Sequence, residues 1–271
     1  MHKKRLIFTL LYEDGNFVLS RNFRLQNVGD INWLKNNYDF SHISFSIDEL
    51  IVLDVSRGER NIVKFCESLK ILAEGCFAPI TAGGGVTTVS SVRKLLRSGA
   101  DKVSINSGIF RDTDFLYEVS SEFGEQCIVG SMDVKIDDRG VFQVWSQNGS
   151  RIEGEASEWI NRFYDLPIGE IYLNSIDRDG TGNGYDFNLL NLLSSLSKKP
   201  TILAGGVGNA AHLAAGLADS RIDAVATAHL FNFIGSGLKN AREYLVTEGV
   251  SLPIWNSEIA HRISVKGNYG R

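Results

Sequence analysis

Ala82-Gly83-Gly84 and, 122 positions later, Ala204-Gly205-Gly206 repeat one another, each after a short apolar run and before a helical pattern. At the same offset Ala100-Asp101-Lys102-Val103 answers to Ile222-Asp223-Ala224-Val225. A chain of 271 residues that repeats itself at nearly half its length is built from two similar halves. Outward from these repeats, short β-rich runs alternate with amphipathic stretches at intervals of roughly 25–30 residues, the rhythm of βα units around a parallel sheet. Eight strands are predicted: Arg5–Leu11, Glu49–Asp54, Pro79–Ala82, Lys102–Ile105, Cys127–Asp133, Glu170–Asn174, Thr201–Ala204 and Ala224–Thr227. Helices are predicted over Asn61–Ala73, Val89–Ser98, Asp112–Phe123, Glu155–Tyr164, Phe187–Leu196, Ala210–Ala218 and Leu238–Glu248. Four strands per half give an α/β fold, a (β/α)8 TIM barrel of two half-barrels over residues 1–252, with an open doubly wound sheet as the alternative. Residues 253–271 form a polar tail, expected to be disordered or to lie on the surface.

With 43% hydrophobic residues the chain can bury a large core. A net charge of −4 argues against nucleic acid or any general polyanion as partner. No apolar run is long enough to span a membrane, and the three cysteines, Cys66, Cys76 and Cys127, have no metal-ligand spacing. A cytoplasmic protein without metal or cofactor is expected.

The repeat carries Leu11 onto Asp133, each ending the first strand of its half. Two strand-end groups thus face a common mouth, and only one is a carboxylate. Gly83-Gly84-Gly85, before Thr87-Thr88 and a helix, and Gly205-Gly206-Val207-Gly208-Asn209 offer backbone N–H groups and helix N-termini, which suit phosphate-type anions. Asp133 is the candidate proton-transfer group, or a carboxylate that merely orients the next loop. Asp54, Asp177, Asp179 with Gly180, Ser104, Asn106, and Ala228-His229 occupy the same ring of strand ends. Insertions Asp14–Asp30 and Lys135–Gly154 follow strands one and five and are candidate lids, the second with a hairpin turn at Asn148-Gly149. At the strand starts, Arg5, Glu49, Lys102 and Glu170 alternate in sign around the barrel. They form either a stabilising salt-bridge cluster or a gate around an axial opening for a small neutral molecule.

At these residues the chain resembles the cyclase subunit of imidazole glycerol phosphate synthase. The resemblance spans about residues 4–250 and is most specific in Asp48-Glu49-Leu50, Gly83-Gly84-Gly85, Gly99-Ala100-Asp101-Lys102-Val103-Ser104-Ile105-Asn106 and Ser175-Ile176-Asp177-Arg178-Asp179-Gly180-Thr181. It implies that Arg5, Glu49, Lys102 and Glu170 gate ammonia from a glutaminase docked at the N-terminal barrel face. It also implies that the glycine loops take the two ends of a bisphosphate. That family uses an aspartate at the end of strand one, where this chain has Leu11, and a lysine in the following loop, where it has Leu19. Leu10-Leu11, Cys76-Phe77-Ala78-Pro79 and Leu173-Asn174-Ser175 are similar instead to paralogues found with surface-polysaccharide genes. Those act with a glutaminase-like subunit and a separate amidotransferase to amidinate a nucleotide-activated N-acetyl sugar. The resemblance therefore implies an ammonia-supplying amidotransferase subunit. A cyclase of histidine biosynthesis and a non-catalytic glutaminase-docking barrel are the alternatives.

Overall fold

The computed structural model describes residues 3–37, 43, 45–193, 199–228 and 237–253. Eight parallel strands close on themselves: β1 (Arg5–Glu13), β4 (Glu49–Asp54), β5 (Ile80–Gly83), β6 (Lys102–Ile105), β7 (Ile128–Ile136), β10 (Glu170–Ser175), β11 (Thr201–Ala204) and β12 (Ala224–Thr227). Closure runs through β12–β1 and β7–β10 as well as through the chain-order neighbours. This is the (β/α)8 TIM barrel, and four of its strands keep the bounds read from the sequence.

Alternation along each strand sorts the side chains into two cores. Leu6, Phe8, Leu10 and Tyr12 of β1 point outward and are buried under the helices. Ile7, Ile51, Val129, Tyr172, Ile202, Ala204, Ala224 and Ala226 point inward and fill the barrel itself. Each fully buried large apolar side chain contributes about 1.5–3 kcal/mol by leaving water. The helices begin where the caps put them: Asn61, Thr88 and Asn209 each accept backbone N–H bonds one turn ahead.

Two expectations need correction, and one insertion takes a form the sequence did not signal. Phe187–Leu196 is not an α-helix: Phe187–Leu192 is a 3-10 helix, with residues 194–198 outside the described set. Asp186 caps this short turn, while Asn188 and Asn191 favour local backbone bonding over helix propagation. The helix expected from Asp112 starts at Asp114, because Asp112 turns its carboxylate onto the Asp114 N–H and a separate five-residue helix, Ser107–Arg111, precedes it. The insertion after β1 is a second hairpin, β2 (Asn16–Arg21) and β3 (Arg24–Asp30), continuing the sheet from β1. Its turn residues Asn22 and Phe23 sit at φ 49° and 62°, and without a glycine they gave no turn signal. The tail from residue 254 on lies outside the described residues.

The hairpin expected after β7 forms from β8 (Phe142–Ser146) and β9 (Arg151–Glu155). Each hairpin thus grows from the first strand of one half and docks on the other half. Asn22 donates its backbone N–H to the Asp179 carbonyl and its amide to the carbonyls of Ile176 and Asp177. Asn148 donates to the carbonyls of Val55 and Ser56 and accepts from Arg60. The tips meet: a Cβ at Gly149 would strike the Phe23 ring at 2.8 Å. Contacts of this kind hold Phe23 in a left-handed conformation that costs a bulky residue about 1–2 kcal/mol.

Candidate functional site

Beneath the crossed hairpins lies a cavity of about 300 Å³ at the C-terminal ends of the strands. It brings together Leu11, Asp54, Gly84, Gly85, Ser104, Asn106, Asp133, Asp179, Gly180, Gly205, Gly206 and Ala228. Every strand-end candidate named from the sequence is here except Asp177, which accepts the Ile136 N–H and braces the second hairpin, and His229, which lies outside the described residues.

The two glycine loops are built alike. Gly84 (φ 115°) and Gly206 (φ 106°) occupy left-handed conformations in which a Cβ would come within 2.1 Å of the carbonyl oxygens of Asp54 and Gly184. Only glycine fits, and the close approach turns successive N–H groups toward the cavity. Among the described residues, the N–H groups of Gly84, Gly85, Gly205 and Gly206 have no protein acceptor. Thr88 and Asn209 already cap the helices behind them, so it is the loops that present open donors.

Cations gather on one side. Arg21 and Arg24 of the first hairpin, and Arg57 and Arg60 after β4, line the same cavity. The buried Arg60 Nε has no hydrogen-bond partner and lies 3.9 Å from Asp54 Oδ1. Nothing in the expectations pointed to these arginines, although Ser56-Arg57-Gly58-Glu59-Arg60 directly follows a strand and precedes a helix cap. Asp179 accepts from the Ser20 hydroxyl and the Phe23 N–H, and burial raises its pKa despite both.

Asp133 sits at the centre of the floor. Asn174 donates to Oδ1 at 2.8 Å and Asn106 to Oδ2 at 3.2 Å. Both donors are neutral amides. Burial pushes the Asp133 carboxyl up to about 6, with the Asn174 bond opposing and Asp179 adding to the rise. Across the mouth, Leu11, Leu19, Leu25 and Leu53 give an apolar wall where the other half has its carboxylate.

The raised carboxyl has a stability consequence. The folded state holds this proton more tightly than the unfolded chain does, so folding loses stability as pH rises from about 4 to 6 and the loss is complete above that. A shift of this size corresponds to about 2–3 kcal/mol. Asp133→Asn is therefore expected to melt about 5 °C higher than the parent at pH 7.5, converging with it near pH 4. A variant melting at or below the parent at pH 7.5 would show that the ionised carboxylate carries no penalty.

At the opposite end Arg5, Glu49, Lys102 and Glu170 form a closed ring. Arg5 binds Glu49 at 3.1 Å and Glu170 at 2.7 Å; Lys102 binds Glu49 at 3.0 Å and Glu170 at 2.7 Å. The alternation in sign lets each group take two opposite partners. Burial works against the charges on Arg5 and Lys102, but Glu170 and Glu49 outweigh it and hold both cations above their ordinary pKa. Thr81 adds a hydroxyl bond to Glu49.

Among the described residues no cluster of metal-ligating side chains exists, and no helix is long and apolar enough to cross a membrane. The model of the histidine biosynthesis protein family matches residues 26–235. A protein of Parasynechococcus marenigrum (strain WH8102), provisionally named imidazole glycerol phosphate synthase subunit hisF2, is 46% identical over 257 residues, 94% of this chain and 95% of its own length. Fold, glycine loops and whole-length similarity agree, and the chain belongs to the histidine biosynthesis protein family, as one of its HisF-like barrels.

Proposed function

We propose that the chain is the ammonia-receiving barrel of a glutamine amidotransferase complex, and that its nitrogen goes to an acceptor other than the histidine-pathway bisphosphate. The observation that carries this is the apolar wall of Leu11, Leu19 and Leu53 facing Asp133. A leucine moves no proton and stabilises no developing cation, so the position that answers to Asp133 in the other half is hydrocarbon, and the carboxylate that half does bring to the cavity, Asp54, lies beside Arg60. The charged ring supports the nitrogen source: four groups that satisfy one another leave no net charge to trap a neutral molecule once they part. The partner is a glutaminase docked at the N-terminal face. Phe77, 55% exposed and stacked on Phe45 at 6.1 Å, lies on that face beside the starts of β4 and β5 and offers an aromatic anchor.

The acceptor is a nucleotide-activated N-acetyl sugar, amidinated by a separate amidotransferase; this rests on the resemblance of Leu10-Leu11, Cys76–Pro79 and Leu173–Ser175. In this scheme Gly84, Gly85, Gly205 and Gly206, with Ser104, Gly180 and Ala228, hold phosphate-type groups of a small ligand. Asp54 positions Arg60, and Asp179 positions the first hairpin. Reconstitution tests it. With the glutaminase and the amidotransferase, glutamine-driven amidine formation is expected to stop when this chain is left out, while ammonium salts restore it. Undiminished glutamine-driven product without the chain would overturn the proposal.

A cyclase of histidine biosynthesis is the second reading, favoured by the open N–H donors of both glycine loops and by the name of the 46%-identical relative. A barrel that only docks a glutaminase is the third.

A further inference from the structure

The first hairpin carries an arginine on each strand where it meets the turn. Arg21 of β2 and Arg24 of β3 face each other across Asn22-Phe23, and both line the cavity. Directly opposite residues of an antiparallel pair stand on one face, about 5.5 Å apart or closer, and like charges there weaken the pairing. Among the described residues neither side chain makes a hydrogen bond or an ion pair. Arg57 joins them from the loop after β4, donating to the carbonyl of Phe23, which lies between the two in the chain. Arg60 lies against the first glycine loop: a Cβ at Gly85 would meet its Cδ at 2.8 Å and its Nη1 at 2.9 Å. The buried Nε of Arg60 is unbonded.

Four guanidiniums thus line one cavity, against three carboxylates that are mostly taken. Asp54 stands 3.9 Å from Arg60, Asp179 accepts from the Ser20 hydroxyl and the Phe23 N–H, and Asp133 accepts from Asn174 and Asn106. Elsewhere the chain seats its arginines on carboxylates: Arg5 on Glu170, Arg93 on Glu122, Arg221 on Asp219 and Arg242 on Asp48. In a chain of net charge −4, guanidiniums gathered without acidic partners over a cavity are suited to a multiply charged anion.

We propose that Arg21, Arg24, Arg57 and Arg60 bind a diphosphate group, with one phosphoryl held by Arg60 and the open N–H groups of Gly84 and Gly85, and the next by Arg21, Arg24 and Arg57. This rests on the phosphate reading of the glycine loops above, and adds an anionic position that neither loop supplies. A single phosphate at the loop would leave Arg21 and Arg24 opposed and unpaired. Two linked phosphoryl groups set acceptor oxygens against the loop and the hairpin at once, and the planar guanidinium fork matches such oxygens in pairs. Arg21 and Arg24 ride on the hairpin, whereas Arg57 and Arg60 follow β4 of the barrel. The bound anion therefore ties the cover to the body and cancels the repulsion within the hairpin.

Calorimetric titration of the full chain tests this, with inorganic pyrophosphate and orthophosphate as probes and Arg21→Gln with Arg24→Gln as the variant. The parent is expected to bind pyrophosphate at least about tenfold more tightly than orthophosphate. The variant should lose about tenfold or more for pyrophosphate but less than about threefold for orthophosphate, which the loop and Arg60 still hold. Lys94→Gln with Arg97→Gln removes the same charge from the exposed side of the helix Val89–Arg97, and should leave both affinities within about twofold. Without ligand the Arg21 and Arg24 variant should melt no lower than the parent, because a like-charge pair is gone; this separates a lost contact from a folding defect. UDP-N-acetylglucosamine, a diphosphate ester, separates the sources: binding tighter than pyrophosphate names an activated sugar, and weaker binding names free diphosphate. Equal affinity of the parent for pyrophosphate and orthophosphate, or a variant that binds pyrophosphate as the parent does, overturns the site. If these titrations hold while glutamine-driven amidine formation survives omission of the chain, the amidotransferase reading falls and the diphosphate site stands.

Discussion

No imidazole glycerol phosphate is expected from the phosphoribulosyl bisphosphate and ammonium salts: turnover should fall below about 0.1 s⁻¹, at least 10²-fold under the enzyme median of about 10 s⁻¹. The reason is local. Leu11 lies within β1 beside Val18 and Leu53, and Leu19 faces the same cavity, so the position that answers to Asp133 supplies hydrocarbon. Each lost general acid–base contribution is worth roughly 10²–10⁴, and groups that act as a pair lose more than either alone. Turnover above about 0.1 s⁻¹ would end this account and leave the histidine-pathway cyclase standing. Leu11→Asp alone should recover little, because the new carboxylate would be buried against Leu19 and Leu53 and favour its neutral form. Leu11→Asp with Leu19→Lys should recover more than the single change.

The second large effect is expected at the ring. Lys102→Ala leaves Glu49 and Glu170 facing each other with only Arg5 between them. Removing one partner from a buried pair costs about 3–5 kcal/mol, and these groups are only partly shielded, so the loss should lie at the lower end. Glutamine consumed per product should rise at least tenfold as ammonia escapes at the interface, while the reaction on ammonium salts stays within about twofold of the parent. A pure stability cluster behaves differently: both nitrogen sources fail together, in step with the melting temperature. That result would remove the gate from the proposal.

The barrel was legible because its signal is redundant. Eight apolar runs, two glycine loops and a repeated Asp at positions 101 and 223 point the same way, and burial enforces strand period and register. The site was legible where a residue's place on a strand fixes its direction, as for Asp133, Asn106 and the charged ring. It was not legible where loops decide. Asn22 and Phe23 make a turn without glycine because Asp179, some 150 residues away in sequence, accepts their bonds. Arg60 enters the cavity because Asn148 of the other half holds it.

Asn148-Gly149 joins the latch of the second hairpin to the sequence most prone to spontaneous deamidation, in which the glycine nitrogen attacks the asparagine side-chain carbonyl. Here the side-chain amide is tied to the carbonyls of Val55 and Ser56, and the Gly149 N–H to that of Ser146. The closed cover thus shields its own weak point, and the chemistry can start only while the cover is lifted. Once it runs, an acidic group replaces both donors at the latch, and the carbonyls of Val55 and Ser56 face a negative charge. A ligand that holds Asn148 on the carbonyls of Val55 and Ser56 is therefore expected to slow that ageing.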